Sequence, residues 1–167
     1  YQHKQMRIIE FPRYRDFAQS FANTVPYSEN IGFLTDTRNP DNINVPYYVT
    51  SHELAHQWWA HQVIGANVEG SNILSEMLSQ YSAIMVMKEK YGEHNLRKFL
   101  KYELDTYLSG RGSDPYEERA LSRTIGQQYI HYNKVSVVML ALHDLLGETR
   151  LNSALRSFLN DYRFRTV

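Results

Sequence analysis

Apolar residues recur every three or four positions through most of the chain after residue 70, which is the spacing of amphipathic helices. Three helices are predicted there, over 72–91, 93–108 and 129–146, and each is followed within two residues by a glycine that suits a helix end. A last helix is predicted over 149–162. The clearest apolar stripe belongs to the second of these helices and consists of Leu96, Phe99, Leu100, Leu104 and Tyr107.

The residues before position 45 carry strand and loop patterns instead. Residues 5–11, stopped by Pro12, predict a short strand, and residues 28–35 predict a second, with Gly32 marking a close backbone approach. Residues 36–44 are rich in Asp, Asn and Pro and predict a loop. The expected fold class is therefore α+β and mainly α, with a small N-terminal strand region followed by a helical body.

Between these regions a further helix is predicted from Asn44 to Gly65. Asn44 suits the N-cap, Pro46 suits the first turn, and Gly65 suits the end. Apolar side chains cover most of the circumference of this helix, which indicates burial. Its polar side chains therefore need partners.

This helix carries the strongest chemical signal in the chain, an H-E-x-x-H motif at His52, Glu53 and His56. Residues four positions apart lie on one helix face, so both imidazoles can bind one metal ion, and neutral imidazoles suit Zn²⁺. Glu53 borders that face and is placed to transfer a proton rather than to bind the metal. A buried helix with two hydrogen-bonded core histidines is the alternative, and a third ligand decides between them.

Three residues after the motif are candidate third ligands. His61 is predicted to point away from the motif, and Glu69 is expected in a solvated loop. Glu76 lies in the first turns of the next helix, and a short turn between two helices can bring it opposite the histidines. Its helical neighbours Ser79 and Gln80 continue a polar face, so Glu76 is the preferred ligand. Either neighbour is a hypothesis for orienting a histidine ring.

Composition narrows the classes of function. The length of 167 residues and the ordinary globular composition predict one domain, 1–167. Eighteen acidic and eighteen basic residues give no net charge, so a nucleic-acid partner is not expected. There are no cysteines, so a metal must be bound by His, Asp, Glu or water. No apolar run approaches the ~20 residues that a membrane span needs. The chain lacks an initial Met and opens on a strand, and we expect it to belong to a longer protein with further domains.

The segment H-E-L-A-H-Q-W-W, followed by S-E-M-L-S-Q-Y-S, resembles the gluzincin metallopeptidases and, within them, the M1 zinc aminopeptidases. In that family the third zinc ligand is the Glu of an N-E-G-F-A-x-Y helix, which matches Glu76. Nineteen residues separate His56 from Glu76 here, one more than in the M1 pattern and the same number as in the thermolysin-like pattern. Ser75 replaces the usual Asn, and Met77 and Leu78 replace Gly-Phe.

Two other segments match the M1 pattern in part. Residues 26–30, P-Y-S-E-N, resemble a G-x-M-E-N strand in which the Glu binds the free α-amine of the substrate, and only Glu29 and Asn30 match. The segment that begins at Tyr132, Y-N-K-V, resembles the Y-x-K-G segment, in which the tyrosine donates a hydrogen bond to the developing oxyanion. Tyr129, one turn earlier, is the alternative.

The resemblance implies a thermolysin-like gluzincin catalytic-domain fragment that binds one Zn²⁺ per chain and hydrolyses peptide substrates. Removal of N-terminal residues is the preferred activity, and endo-acting cleavage is the alternative peptidase activity. A zinc-bearing domain that binds a peptide or partner within a larger, membrane-tethered assembly, with little or no turnover, is an alternative from another class, as is a helical domain without metal. The implied site residues are His52, His56 and Glu76 for zinc, Glu53 and Tyr132 for catalysis, and Glu29 and Asn30 for substrate binding.

Overall fold

The N-terminal strand region consists of two short strands. The computed structural model, which describes residues 1–167, pairs β1 (Arg7–Phe11) with β2 (Thr24–Ser28) in parallel. The first predicted strand is therefore confirmed. In β2, the side chains of Val25 and Tyr27 are almost fully buried and Pro26 between them is less so, which is the period of two expected of a half-buried strand.

The second predicted strand, over 28–35, is wrong. Ser28 ends β2, and a short helix, α1 (Glu29–Gly32), follows it directly. No residue of α1 is buried, and Phe33 and Leu34 after it are 52% and 56% exposed, so the residues after Ser28 lack the buried face of a strand. The close approach predicted at Gly32 is confirmed, because a Cβ there would lie 2.6 Å from the ring of Tyr27.

The motif-bearing helix, α2 (Val45–Ala55), begins as predicted and ends early. The Asn44 side chain accepts a hydrogen bond from the Tyr47 backbone N–H at 3.0 Å, which confirms the N-cap. The predicted end at Gly65 is wrong, because Ala60 has a φ of 156°, which is incompatible with a helix. Residues 63–64 form instead the two-residue strand β3 (Val63–Ile64), which pairs in parallel with β4 (Arg165–Thr166) at the other end of the chain.

The longest element, α3 (Ser71–Ser113), contains the two helices predicted over 72–91 and 93–108. Gly92, with φ 80° and ψ 171°, breaks the helical backbone between them, as the sequence predicted. The second part continues past Gly110 to Ser113, so Gly110 does not end the helix. Its role is packing, because a Cβ there would lie 2.5 Å from the Cβ of Tyr129.

The C-terminal helices follow a loop with a short 3₁₀ turn at Leu121–Arg123. The helix predicted over 129–146 has the predicted extent, but its first residues, Tyr129–Lys134, form a π-helical turn before α4 (Val135–Leu146). The last predicted helix is α5 (Glu148–Tyr162).

The core lies where α2, α3, α4 and α5 pack together. One buried cluster joins the end of α2 to α3, α4 and α5 through residues such as Trp59, Tyr81, Met139 and Leu151. A second cluster, around Ile84 and Phe99, joins α3 across its break to α4. The expected α+β, mainly α class is confirmed. No helix combines the length and the apolar composition that a membrane-spanning segment requires.

Candidate metal centre and active site

Two histidines and a glutamate converge on one point between α2 and α3. His52 lies in the last turn of α2, His56 caps that helix, and Glu76 lies near the start of α3. The Nε2 atoms of the two histidines are 3.0 Å apart. Glu76 Oε2 lies 3.2 Å from His52 Nε2 and 3.6 Å from His56 Nε2. The structure therefore brings together the three side chains that the sequence selected as zinc ligands.

The separations between these atoms fit a tetrahedral zinc site. Zinc bonds to nitrogen and oxygen of about 2.0–2.2 Å place neighbouring ligand atoms about 3.3–3.5 Å apart. The three observed separations, 3.0, 3.2 and 3.6 Å, lie around that value. Two imidazole nitrogens and one carboxylate oxygen also form a donor set that zinc takes in hydrolytic enzymes, with the fourth position left for water. The residues present therefore fit one Zn²⁺.

The second ring nitrogen of His56 is fixed by the protein. Its Nδ1 lies 3.0 Å from the carbonyl oxygen of Trp59 and 2.9 Å from the hydroxyl oxygen of Ser79. A proton on Nδ1 satisfies both oxygens and leaves the lone pair of Nε2 for a metal. The hypothesis that Ser79 reaches a histidine ring is thus confirmed. Gln80 contacts other groups.

The charges in the cluster favour the ionised carboxylate. Burial acts to raise the pKa of Glu76, but the hydrogen bonds and charges of the two histidines outweigh it and lower the pKa to about 2. For His56, burial acts to lower the pKa, and the contact with Glu76 outweighs it and raises the pKa. Protons and a metal ion therefore compete for the same imidazoles, and metal affinity falls as the pH becomes acidic.

Glu53 lies beside the three ligands without joining them. It is 7% exposed, lines the same cavity, and is not part of the group of converging ligand atoms. Burial raises the pKa of Glu53, and the charges of His52 and His56 only partly oppose that effect. A carboxylate with a raised pKa is a better proton acceptor near neutral pH.

These groups open into a cavity of about 530 Å³, a size typical of ligand sites. His52, Glu53, His56 and Glu76 line it, and the segment 17–20 forms a further part of its wall. Backbone hydrogen bonds hold that segment against β2: Gln19 N donates to Pro26 O at 3.2 Å, and Ser28 N donates to Phe17 O at 3.0 Å.

Tyr132 projects into this cavity from the π-helical turn. Its ring centre lies 6.0 Å from that of His52. Burial and the neighbouring Glu76 carboxylate keep the pKa of Tyr132 well above its ordinary value, so the hydroxyl remains a hydrogen-bond donor. Tyr129, the alternative, does not line the cavity and packs against Tyr107 instead. Of the two tyrosines, the structure brings only Tyr132 to the metal ligands.

Glu29 and Asn30 do not line the cavity. Glu29 Oε1 accepts a hydrogen bond from the backbone N–H of Arg13 at 3.1 Å, and Asn30 Nδ2 donates to Asp16 Oδ1 at 3.0 Å. Ile31, the next residue, is the one that reaches the cavity wall. A role for Glu29 and Asn30 in substrate binding stays a prediction.

The other candidate ligands lie outside the cluster. His61 lines the cavity, and its Nε2 lies 3.2 Å from the Ser20 carbonyl oxygen, away from the ligand atoms. Glu69 is exposed and lies 3.7 Å from Arg119.

The sequence reasoning missed the wall formed by residues 17–20 and a buried acid, Glu103. Residues 17–20 carry no periodic pattern that marks a strand, so no sequence signal was available. Glu103 did leave a signal. It lies on the apolar stripe of α3, four residues after Phe99, where an acid is unexpected.

Comparison with known proteins gives the family. The model of the peptidase family M1 domain matches residues 1–167. No curated protein matches the chain in a sequence comparison.

Solved structures share the fold. The M1 zinc metallopeptidase from Deinococcus radiodurans superposes with a TM-score of 0.68 at 20% identity, over 96% of this chain and 32% of that one. A variant of that enzyme bound to a Tyr-Ser-Ala substrate gives 0.66 and 20% over the same shares. A two-domain M1 zinc metallopeptidase variant bound to L-arginine gives 0.67 and 19%, again over 96% and 32%.

The chain spans about a third of the length of these structures. At this identity the superposition establishes the fold, and the match to the family model over the full 167 residues establishes the family. The chain belongs to peptidase family M1.

Proposed function

We propose that this chain is the catalytic part of a zinc metallopeptidase. The observation that carries the proposal is the convergence of His52, His56 and Glu76 within zinc-binding distances beside the buried Glu53, in the lining of a cavity. Membership of family M1 supports the same chemistry. Residues 1–167 are proposed to form one unit within a longer protein, in line with the larger size of the structures that share this fold.

The residues divide the work of hydrolysis between them. Zinc, when bound, acts as a Lewis acid that lowers the pKa of water from 15.7 towards about 7. Glu53, with its raised pKa, takes the proton of the attacking water and passes it to the leaving amine. Tyr132, which keeps its hydroxyl proton, donates a hydrogen bond to the oxyanion that develops on the scissile carbonyl.

We further propose that the enzyme removes N-terminal residues. The related structures support this preference, because ligands seen in M1 metallopeptidases are a tripeptide, Tyr-Ser-Ala, and single amino acids, L-tryptophan and L-arginine. Glu29 is the residue assigned to the substrate amine by its match to the M1 pattern. Because Glu29 lies outside the cavity here, binding of the substrate amine by Glu29 requires its side chain to move towards the cavity, which Ile31 of the same helix already lines.

The test is Glu53→Gln in the natural full-length protein loaded with zinc. We expect kcat for short peptides to fall by roughly 10²–10⁴-fold, because the amide cannot accept the proton. The variant should retain one zinc per chain, since Glu53 is not a ligand. The wild type should cleave free-amine peptides and leave N-acetylated peptides of the same sequence intact. Full activity in Glu53→Gln would contradict the assigned base, and equal cleavage of both peptides would contradict the exopeptidase preference.

A further inference from the structure

A buried carboxylic acid lies next to the π-helical turn that carries Tyr132. Glu103 belongs to the part of α3 after Gly92 and is 2% exposed. No cationic side chain pairs with it, and its hydrogen-bond partners are neutral: Asn133 Nδ2 donates at 2.9 Å and Ser136 Oγ lies at 3.2 Å. Burial raises the pKa of Glu103 to about 7, despite these hydrogen bonds. A carboxyl group buried without a cation is costly to the fold, and such groups are concentrated at sites where they have a function.

Both partners of Glu103 flank Tyr132. Asn133 is the next residue, and Ser136 lies one turn later with its hydroxyl 2.8 Å from the Tyr132 carbonyl oxygen. Tyr132 itself is in the π-helical turn Tyr129–Lys134. Such turns are rare and less favourable than α-helix, so they persist where side chains hold them. Glu103 provides this turn with a buried acceptor that does not line the cavity.

The same hydrogen bonds reach both helices that carry the metal ligands. Gln80 Nε2 lies 3.1 Å from Ser136 Oγ and 3.3 Å from the Tyr132 carbonyl oxygen, and Gln80 Oε1 accepts from the Tyr48 hydroxyl. Gln80 is one helical turn after Glu76 on α3, and Tyr48 is one turn before His52 on α2. The position of Tyr132 relative to the metal ligands is thus defined by one buried network.

We propose that Glu103 is a positioning residue for Tyr132: it accepts a hydrogen bond from Asn133 and shares the one hydroxyl proton of Ser136 with the Tyr132 carbonyl oxygen, and so holds the π-helical turn with the Tyr132 hydroxyl facing the metal ligands. This inference rests on the proposed peptidase function. Glu103 acts through Tyr132 and does not touch the substrate, because it does not line the cavity. Loss of the acceptor lets the turn relax, and a displacement of about 1 Å at a catalytic group is enough to cost up to ~10²-fold in rate.

The test compares Glu103→Leu with Glu103→Gln in the zinc-loaded full-length protein. We expect Glu103→Leu to lower kcat by roughly 10–100-fold, with KM within about 2-fold of wild type and one zinc retained per chain. Glu103→Gln should restore kcat to within about 3-fold of wild type, because its carbonyl oxygen can accept both hydrogen bonds. Tyr81→Phe is the matched control. It removes another buried hydrogen bond of α3, to His143 Nδ1 at 3.0 Å, and should leave kcat unchanged.

A double-mutant cycle separates positioning from general stabilisation. In a Tyr132→Phe background, Glu103→Leu should lower kcat by less than about 3-fold, because the hydroxyl that it positions is already absent. If Glu103→Leu does not fold, Ser136→Ala takes its place in the kinetic comparison and in the cycle. The same kcat, KM and zinc content are expected, since Ser136→Ala removes the hydroxyl between Glu103 and the Tyr132 carbonyl.

Three results would overturn the inference alone: wild-type kcat in Glu103→Leu, a Gln variant no better than Leu, or equal losses in the wild-type and Tyr132→Phe backgrounds. A zinc-loaded wild-type protein that cleaves no peptide would overturn the proposed function and this inference together.

Discussion

His56 shows how one side chain serves the site through both ring nitrogens. Its Nε2 faces His52 and Glu76, while its Nδ1 is held by the Trp59 carbonyl and the Ser79 hydroxyl. The early end of α2 makes this possible, because the turn after Ala55 brings the Trp59 carbonyl back to the imidazole. A ring fixed in this way needs little reorganisation when it binds a metal.

Tyr132→Phe tests the role of a single hydroxyl. We expect kcat to fall by roughly 10²–10³-fold with little change in KM, because the hydrogen bond to the oxyanion forms only as the reaction proceeds. Steady-state kinetics on a free-amine peptide measure both constants. Tyr129→Phe is the matched control, since Tyr129 packs on Tyr107 outside the cavity and its loss should leave kcat unchanged. The reverse pattern would assign the oxyanion donor to Tyr129.

At the residue scale, the sequence could predict which three side chains converge but not what surrounds them. Glu76 was predictable because a polar face inside an apolar helix has few explanations, and Ser79 continues that face. The partners of Gln80 were not predictable, because Tyr48 and Ser136 are distant in sequence and only the packing of three helices brings them together. For Glu29 the sequence match and the position in the structure differ, and the substrate-binding role stays a prediction.

Among the elements, α3 connects the metal site to the rest of the fold. Its start carries Glu76, and its second part carries Glu103, which contacts the π-helical turn of Tyr132 through Asn133. The start of α3 is held closely against the loop at Ser122. Gly70, the residue before the helix, has a φ of 75°, and a Cβ there would lie 2.3 Å from the Ser122 carbonyl oxygen.

Gly70→Ala is therefore expected to be strongly destabilising. The left-handed conformation alone costs an alanine about 1 kcal/mol, and the contact with the Ser122 backbone raises the loss to on the order of 2 kcal/mol or more. Scanning calorimetry of the full-length protein should show a lower Tm for the transition that includes this unit. Gly112→Ala, in the last turn of the same helix with open space around it, should be neutral or stabilising by about 0.5–1 kcal/mol. Equal effects at both glycines would show that the Ser122 contact does not constrain α3.

Helix interiors were predictable from the sequence, while element ends and irregular turns were not. Gly92 marked a real break because its positive φ suits glycine. Gly65 and Gly110 looked equivalent in sequence but do not end helices, since Ala60 leaves the helical conformation first and Gly110 serves packing against Tyr129. The π-helical turn had no sequence signal, because the apolar spacing over 129–146 fits an ordinary helix.

For the molecule as a whole, Glu103 links stability to pH. The pKa of Glu103 in the folded protein is about 7, above the ordinary value of 4.5 that applies when the chain is unfolded. The folded state therefore binds the proton more tightly, so the contribution to stability is complete below about pH 4.5 and is lost as the pH rises through 7. Between pH 5.5 and 8 the loss is on the order of 2 kcal/mol.

Glu103→Gln should remove this part of the pH dependence. We expect Tm of the wild type to fall relative to that of the variant as the pH is raised from 5.5 to 8, measured by calorimetry in one buffer series. Glu118→Gln is the control. Contact with Lys134 lowers the pKa of Glu118, so the stability that this carboxylate contributes is lost as the pH falls. Removal of Glu118 should therefore leave the loss of stability at rising pH unchanged. A constant difference in Tm between wild type and Glu103→Gln would contradict a titrating, buried Glu103.

The central claim concerns the whole folded chain, since residues from α2 and α3 must be held together to bind one ion. The most direct test is the zinc content of the natural full-length protein, measured by elemental analysis after exhaustive dialysis, for the wild type and for Glu76→Ala. We expect one zinc per chain in the wild type and a large loss in Glu76→Ala, because two imidazoles without the carboxylate form an incomplete site. A folded wild-type protein without zinc, or a Glu76→Ala variant that keeps the full amount, would contradict the proposed metal centre.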